Sequence, residues 1–338
     1  MKRGIAILVL LTAVAAVAAG VAGGKNPASG TSTGTGTVFL PNPVADLQDQ
    51  SLTDQKDADY AALQPAYHNV TLTDLDGSGT LTGRWAQIVS ETGVPARSST
   101  NTFTYHRNDD RFEQVMAYYW ITEAQKYIQS LGFGTGVYPP VNMQSQRVRI
   151  NQWGQDNSFA TDHPKDELRF GKGGVDDAED AEVILHEYGH AIHFSQGFSF
   201  ASEEAGAISE GFGDYWAADV SDIVAPTPDP ACVADWDATS YTSTVPHCLR
   251  RVDTDLHYPD DLSGEVHHDG QIWSAALWDI RGALGHVEAD TIILNGQFDF
   301  PGTTMTALAQ STVAAAQALY GDAAAEAVTG AFEARGIL

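Results

Sequence analysis

Five consecutive residues constrain this chain more than any others: His186-Glu187-Tyr188-Gly189-His190. The helix formers Ala181, Val183, Ile184 and Leu185 lead into them, and the acidic run Asp176-Asp177-Ala178-Glu179-Asp180 suits a helix N-terminus. On a helix, positions i and i+4 stand one turn apart on the same face. Both imidazoles can then reach one ion, at about 2.0–2.1 Å for zinc. Glu187 falls to the side of that pair, where its carboxylate can take a proton from a water. The pattern alone is a weak signal, because two histidines on a surface helix would look the same.

A catalytic zinc needs a third protein ligand and an open position. One known arrangement wants Gly and His three and six residues beyond the second ligand. Here those positions hold His193 and Gln196, so that arrangement fails. The other takes a Glu from the next helix. Gly206-Ala207-Ile208-Ser209-Glu210-Gly211-Phe212-Gly213-Asp214 supplies Glu210. Asp214 lies i+4 from Glu210 and can accept the second N–H of a ligating histidine, fixing the ring. A tetrahedral oxyanion also needs a donor besides the metal. Val266-His267-His268-Asp269-Gly270-Gln271-Ile272-Trp273 offers His267, with the adjacent His268 as the alternative. Asp156-Asn157-Ser158-Phe159-Ala160, ahead of the turn Phe170-Gly171-Lys172-Gly173-Gly174, stands in the right order to give an edge strand that holds a substrate backbone.

Taken in order, D-N-S-F, F-G-x-G-G, H-E-Y-G-H, G-A-I-S-E-G-F-G-D and V-H-x-D-G-Q-I-W resemble the thermolysin-like gluzincins, closest to the fungalysin family and its bacterial and archaeal relatives. The likeness runs from about Phe103 to the C-terminus. It implies an α+β fold of two lobes, β-rich at the N-terminal side and mainly helical at the C-terminal side. The cleft would lie between them, with the motif helix at its floor. It implies a zinc endopeptidase with His186, His190 and Glu210 as ligands, Glu187 as general base, Asp214 supporting a ligand and His267 stabilising the transition state. Asn157 and Ala160 would line the substrate cleft. Arg250 is the best match for a cleft arginine, with Arg251 next to it. A tyrosine donor has no clear counterpart, and Tyr188 and Tyr215 are both candidates. Two features depart from the family: the stretch before Phe103 is short for an inhibitory propeptide, and a double calcium site is not evident, although Glu182 and Asp214 could join an acidic cluster.

The rest of the chain fits an exported enzyme. Lys2 and Arg3 precede an apolar run from Ile5 to about Ala19, which reads as a signal peptide over 1–22, or an uncleaved anchor. Residues 23–37, rich in Gly, Ser and Thr, read as a flexible linker. A β-rich region is expected over 38–100 and the catalytic part over 101–338, divided at about 180 between the lobes. His68 to Trp85 reads as a hairpin. Its turn resembles the start of a calcium loop at Asp74, Asp76, Ser78 and Gly79, but Trp85 stands where a Glu is needed, so a plain turn is the better reading and calcium a secondary expectation. Cys232 and Cys248, alone in an exported chain of 338 residues, are expected to form a disulfide. They sit in a long loop from Ile223 to His247. The net charge of −26 excludes nucleic acid and anionic lipid surfaces as partners and leaves proteins or peptides as substrates. The alternative from another class is a secreted zinc-binding scaffold that has lost catalysis, against which the intact Glu187 argues.

Overall fold

Phe112, Val115, Met116, Trp120, Ile121, Ala124 and Ile128 recur at helical spacing, and all are buried on one helix. In the computed structural model, which describes residues 32–89 and 93–338, this helix (α2, Arg111–Ser130) is the spine of the first lobe. Strand β1 (Ser32–Val38), the short helix α1 (Pro43–Leu47), strands β2 (His68–Leu75) and β3 (Ala86–Ile88) and the two-residue β4 (Thr102–Phe103) precede it. Strands β5 (Gln146–Arg149), β6 (Phe159–Thr161) and β7 (Glu167–Arg169) follow. They make two sheets, ordered β2-β1-β4 and β3-β5-β7-β6. In the second, β6 is an edge strand, antiparallel to β7, with Ala160 opposite Leu168.

Three expectations for this lobe are corrected. The linker expected over 23–37 is in part strand: Ser32 onward belongs to β1 and pairs with β2 from Val38↔His68 to Ser32↔Leu75. The β-branched Thr33, Thr35 and Thr37 favour a strand. Gly36 is there for close approach, since a Cβ would stand 2.6 Å from Val115 Cγ1 on α2. The boundary expected at 100 runs through a sheet, because β4 pairs with β1 and Phe103 shares the core with Val38 and Phe39. The hairpin expected over 68–85 is only partial. β2 takes β1 as its partner, and the returning chain meets it at the single bridge Leu75↔Gly83. Its turn is closed by Ser78 N–H donating to Asp76 Oδ1 at 2.8 Å, and no metal-sized cluster of ligands gathers there among the described residues. The signal segment 1–22 lies outside the described residues.

The second lobe is helical: α3 (Ala181–Ser195), α4 (Glu203–Val224), α5 (Val266–Leu284), α6 (His286–Gly296), α7 (Met305–Tyr320) and α8 (Asp322–Ala334). The acidic run does start α3, with the Asp180 carboxylate accepting from Glu182 N–H. α4 packs between α3 and α5. Where α3 and α4 cross, Gly189 meets Gly213; a Cβ on Gly189 would lie 2.9 Å from Gly213 Cα. Between α4 and α5, the long loop carries the short strands β8 (Cys232–Val233) and β9 (Arg250–Arg251), joined by the expected Cys232–Cys248 disulfide. No helix among the described residues is long and apolar enough to cross a membrane.

Candidate metal centre and cleft

Helix periodicity brings His186 and His190 to one face of α3, and the glycine crossing lets α4 lie close enough to add Glu210. Ligand atoms of the three all lie within 4.8 Å of one another. His186 Nε2 is 3.2 Å from Glu210 Oε2, and His190 Nε2 is 3.6 Å from Glu210 Oε1. Two imidazole nitrogens and a carboxylate are the donor set of a three-ligand catalytic zinc. The set fits such an ion for a second reason. Oε2 of Glu210 and Oε2 of Glu187 are buried without a hydrogen-bond partner, which is costly unless something else satisfies them.

The rings are held from behind. His186 Nδ1 is 2.8 Å from Asp214 Oδ1, as the i+4 spacing from Glu210 predicted. Asp214 is fully buried and also accepts from Arg250 Nε and Nη2, at 2.6 and 2.7 Å. Arg250 is thereby fixed against Asp214 while still lining the cleft. Its neighbour Arg251 faces outward and pairs with Asp229 and Asp253. Behind His190, the Ser209 hydroxyl is 2.8 Å from Nδ1 and also 3.0 Å from Nδ1 of the buried His193. His193 stacks on Phe198 and Phe212, a role in the core.

Charge follows this geometry. Burial opposes a charge on His186, but Asp214 and Glu210 outweigh it and push the ring up to about 10. Burial, helped by the neighbouring rings of His186 and His267, outweighs Glu210 and Asp214 and brings His190 down to about 4. Burial likewise opposes the charge on Glu210, yet the facing rings of His190 and His186 hold its carboxyl below the usual carboxylate range. For Glu187, burial dominates and pushes the carboxyl up to about 8.

His267, in the first turn of α5, places Nε2 3.5 Å from Glu210 Oε2 and is half exposed to the cleft. Nδ1 of His267 is held by Glu265 at 2.6 Å. His268 turns to Asp269 instead and lines neither cavity beside the metal residues. Asn157 lines one of these cavities, with His186, Glu187, Arg250 and His267. Ala160 lines the other, with His190, Phe194, Phe200 and Glu210. Tyr188 and Tyr215 do not come to the site: both are buried, with hydroxyls on Gln125 and Asp290. Glu182 is spent on Ser221 and on Ala234 N–H, so it forms no cluster with Asp214. Sequence reasoning missed Ser209 and also Tyr241, which lines the cavity with Glu187 and Arg250. The first lies one residue before Glu210, the one local hint of its place. The second comes from the loop between α4 and α5 and had no signal beyond that loop's length.

Residues 137–288 match the family model described as fungalysin metallopeptidase (M36). Among solved structures, the chain is similar to the precursor of protealysin, a metalloproteinase from Serratia proteamaculans. The TM-score is 0.54 at 16% identity, over 74% of this chain and 87% of that one. No curated protein matches. The matched region is similar to the fungalysin metallopeptidases, and the chain shares the two-lobe fold of the protealysin precursor.

Proposed function

We propose that this metallopeptidase is a secreted zinc endopeptidase that uses Glu187 as its general base. The observation that carries the reading is the convergence of His186, His190 and Glu210 with Glu187 Oε2 buried and unpartnered beside them. Those three residues would hold zinc, the metal on which the family depends. When bound, zinc polarises a scissile carbonyl and makes a water more acidic. The substrate backbone lies along the edge strand β6, near Asn157 and Ala160. Glu187 takes a proton from the attacking water and passes it to the leaving amine nitrogen. Burial of Glu187 favours its holding that proton between the two steps. His267 Nε2, pointing at the same centre, donates to the developing oxyanion. Arg250 and Asp214 act by positioning, through His186 Nδ1. Export is supported by the N-terminal basic and apolar segments and by the habit of the family, whose members are generally secreted.

The test is casein hydrolysis by the purified chain, with zinc content measured on the same samples. Activity abolished by a chelator and restored by zinc is expected. Glu187→Gln should keep its zinc and lose at least about 1,000-fold in kcat, within the range that loss of a catalytic acid–base group produces. Turnover retained in that variant overturns the assignment. A wild-type chain that binds zinc and leaves casein intact would be the silent, scaffold-like homologue.

A further inference from the structure

A second set of oxygens converges beside the cleft. Asp156, Asp177 and Asp237 each bring one carboxylate oxygen within 4.8 Å of the other two. The three come from separate places: the segment before β6, the 3-10 turn at Asp177–Glu179, and the 3-10 turn at Asp237–Ser240. Asp177 and Asp237 are only 1% and 3% exposed. Oδ1 of each is buried without a hydrogen-bond partner. The donors at the site serve the other side of the cluster: the Tyr241 hydroxyl donates to Asp156 Oδ1 at 2.6 Å, and the Ser158 hydroxyl to Asp177 Oδ2. All three acids line the cavity of about 260 Å³ that also contains Glu187 and Arg250.

An arrangement like this is expensive without a counter-charge. Burial first, and then mutual repulsion, holds the Asp237 carboxyl well above the usual range, and burial pushes Asp177 up to about 7. Arg250, the cation acting on Asp237, already gives Nε and Nη2 to Asp214. Two nearby acids, Glu182 and Asp180, differ. Glu182 accepts from Ser221 and Ala234, and Asp180 from the N–H groups of Glu182 and Asp237. An all-carboxylate set drawn from three separate turns suits calcium, which takes oxygen ligands in flexible geometry, better than magnesium, which demands a near-ideal octahedron. We propose that Asp156, Asp177 and Asp237 bind one calcium ion beside the cleft. Its coordination would tie the segment leading into edge strand β6 to the loop that carries Tyr241 and runs on to Arg250.

Terbium, a luminescent stand-in for calcium, tests this in the zinc-loaded chain, because the Tyr241 ring stands beside Asp156 and can sensitise the emission. Emission should saturate at one ion per chain and be displaced by calcium at concentrations where magnesium has no effect. Asp237→Asn and, separately, Asp177→Asn should weaken terbium binding at least 10-fold, with zinc content and circular dichroism unchanged. Asparagine keeps the size and shape of aspartate and needs no counter-charge when buried, so folding should be retained. Zinc content and casein turnover on the same samples separate failure here from failure of the metal centre. Equal terbium affinity in the wild type and both variants overturns the proposal. So does an absence of saturable binding with Asp237→Asn slowing only peptides that carry Lys or Arg; the acids would then receive a cationic substrate side chain.

Discussion

Asp214→Asn separates two roles that one buried carboxylate performs. The side chain is fully buried and meets three groups: His186 Nδ1, Arg250 Nε and Arg250 Nη2. Asparagine keeps the shape but not the charge, and its amide offers one acceptor oxygen in place of two. The His186 contact is a support of the kind whose loss lowers metal affinity about 10- to 100-fold, or about 1.4–2.8 kcal/mol. The Arg250 contact is a buried ion pair, and removing one partner costs about 3–5 kcal/mol because the other charge is stranded. Zinc affinity, read by competition with a chromophoric chelator, should therefore fall by one to two orders of magnitude. Stability of the zinc-free protein, read by urea denaturation, should fall by about 3 kcal/mol or more. Adding Arg250→Met removes the stranded charge and should restore most of the stability while leaving zinc binding weak. If the double variant recovers zinc affinity along with stability, or the single variant loses neither, the division of labour argued for Asp214 is wrong.

Breaking the Cys232–Cys248 disulfide, which spans a sequence separation of 16, should cost about 3 kcal/mol on the chain-entropy model, seen as a lower denaturant midpoint in Cys232→Ala/Cys248→Ala. Gly213→Ala would set a Cβ 2.8 Å from His186 Nδ1, the atom that meets Asp214; zinc affinity should fall about 10-fold in the same chelator assay. The buried Glu167 accepts from Arg147, Arg149 and Arg169, and these contacts outweigh burial to bring its carboxyl down to about 2. Because its folded value is depressed, its stabilisation is present above the ordinary carboxylate range and lost as pH falls from about 4.5 towards 2. Glu167→Gln should lower stability at pH 7 by about 3 kcal/mol, with a difference from wild type that shrinks over that acid window in pH-dependent denaturation.

The parts of the site that were legible in the sequence are those joined by helix geometry. His186 and His190 share one face of a helix with Glu187 to their side, and Glu210 and Asp214 share one face of the next, so spacing alone was enough to group them. His267 was legible as a histidine beginning a third helix, although its choice over His268 came only with the turn of each ring. Contacts between distant segments were not legible. Asp156, Asp177 and Asp237 come together through three turns, and no periodicity relates them. The stretch over 32–37 misled because Gly, Ser and Thr serve a mobile linker and a close-packed strand equally well. Which use is made depends on Val115, a residue on a helix far along the chain.

Ser209 stands between two imidazoles but owns a single hydrogen. A His190 that gives the lone pair of Nε2 to an ion keeps its hydrogen on Nδ1, and so must donate to Ser209. The serine hydrogen is then left for His193 Nδ1, which forces the hydrogen of His193 onto Nε2, a buried atom without a hydrogen-bond partner. An ion bound by His190 would thus set the tautomer of a histidine it never touches, His193, packed between Phe198 and Phe212. Without the ion the two hydrogens could reverse, so metal loading would be written into proton positions inside the helical lobe.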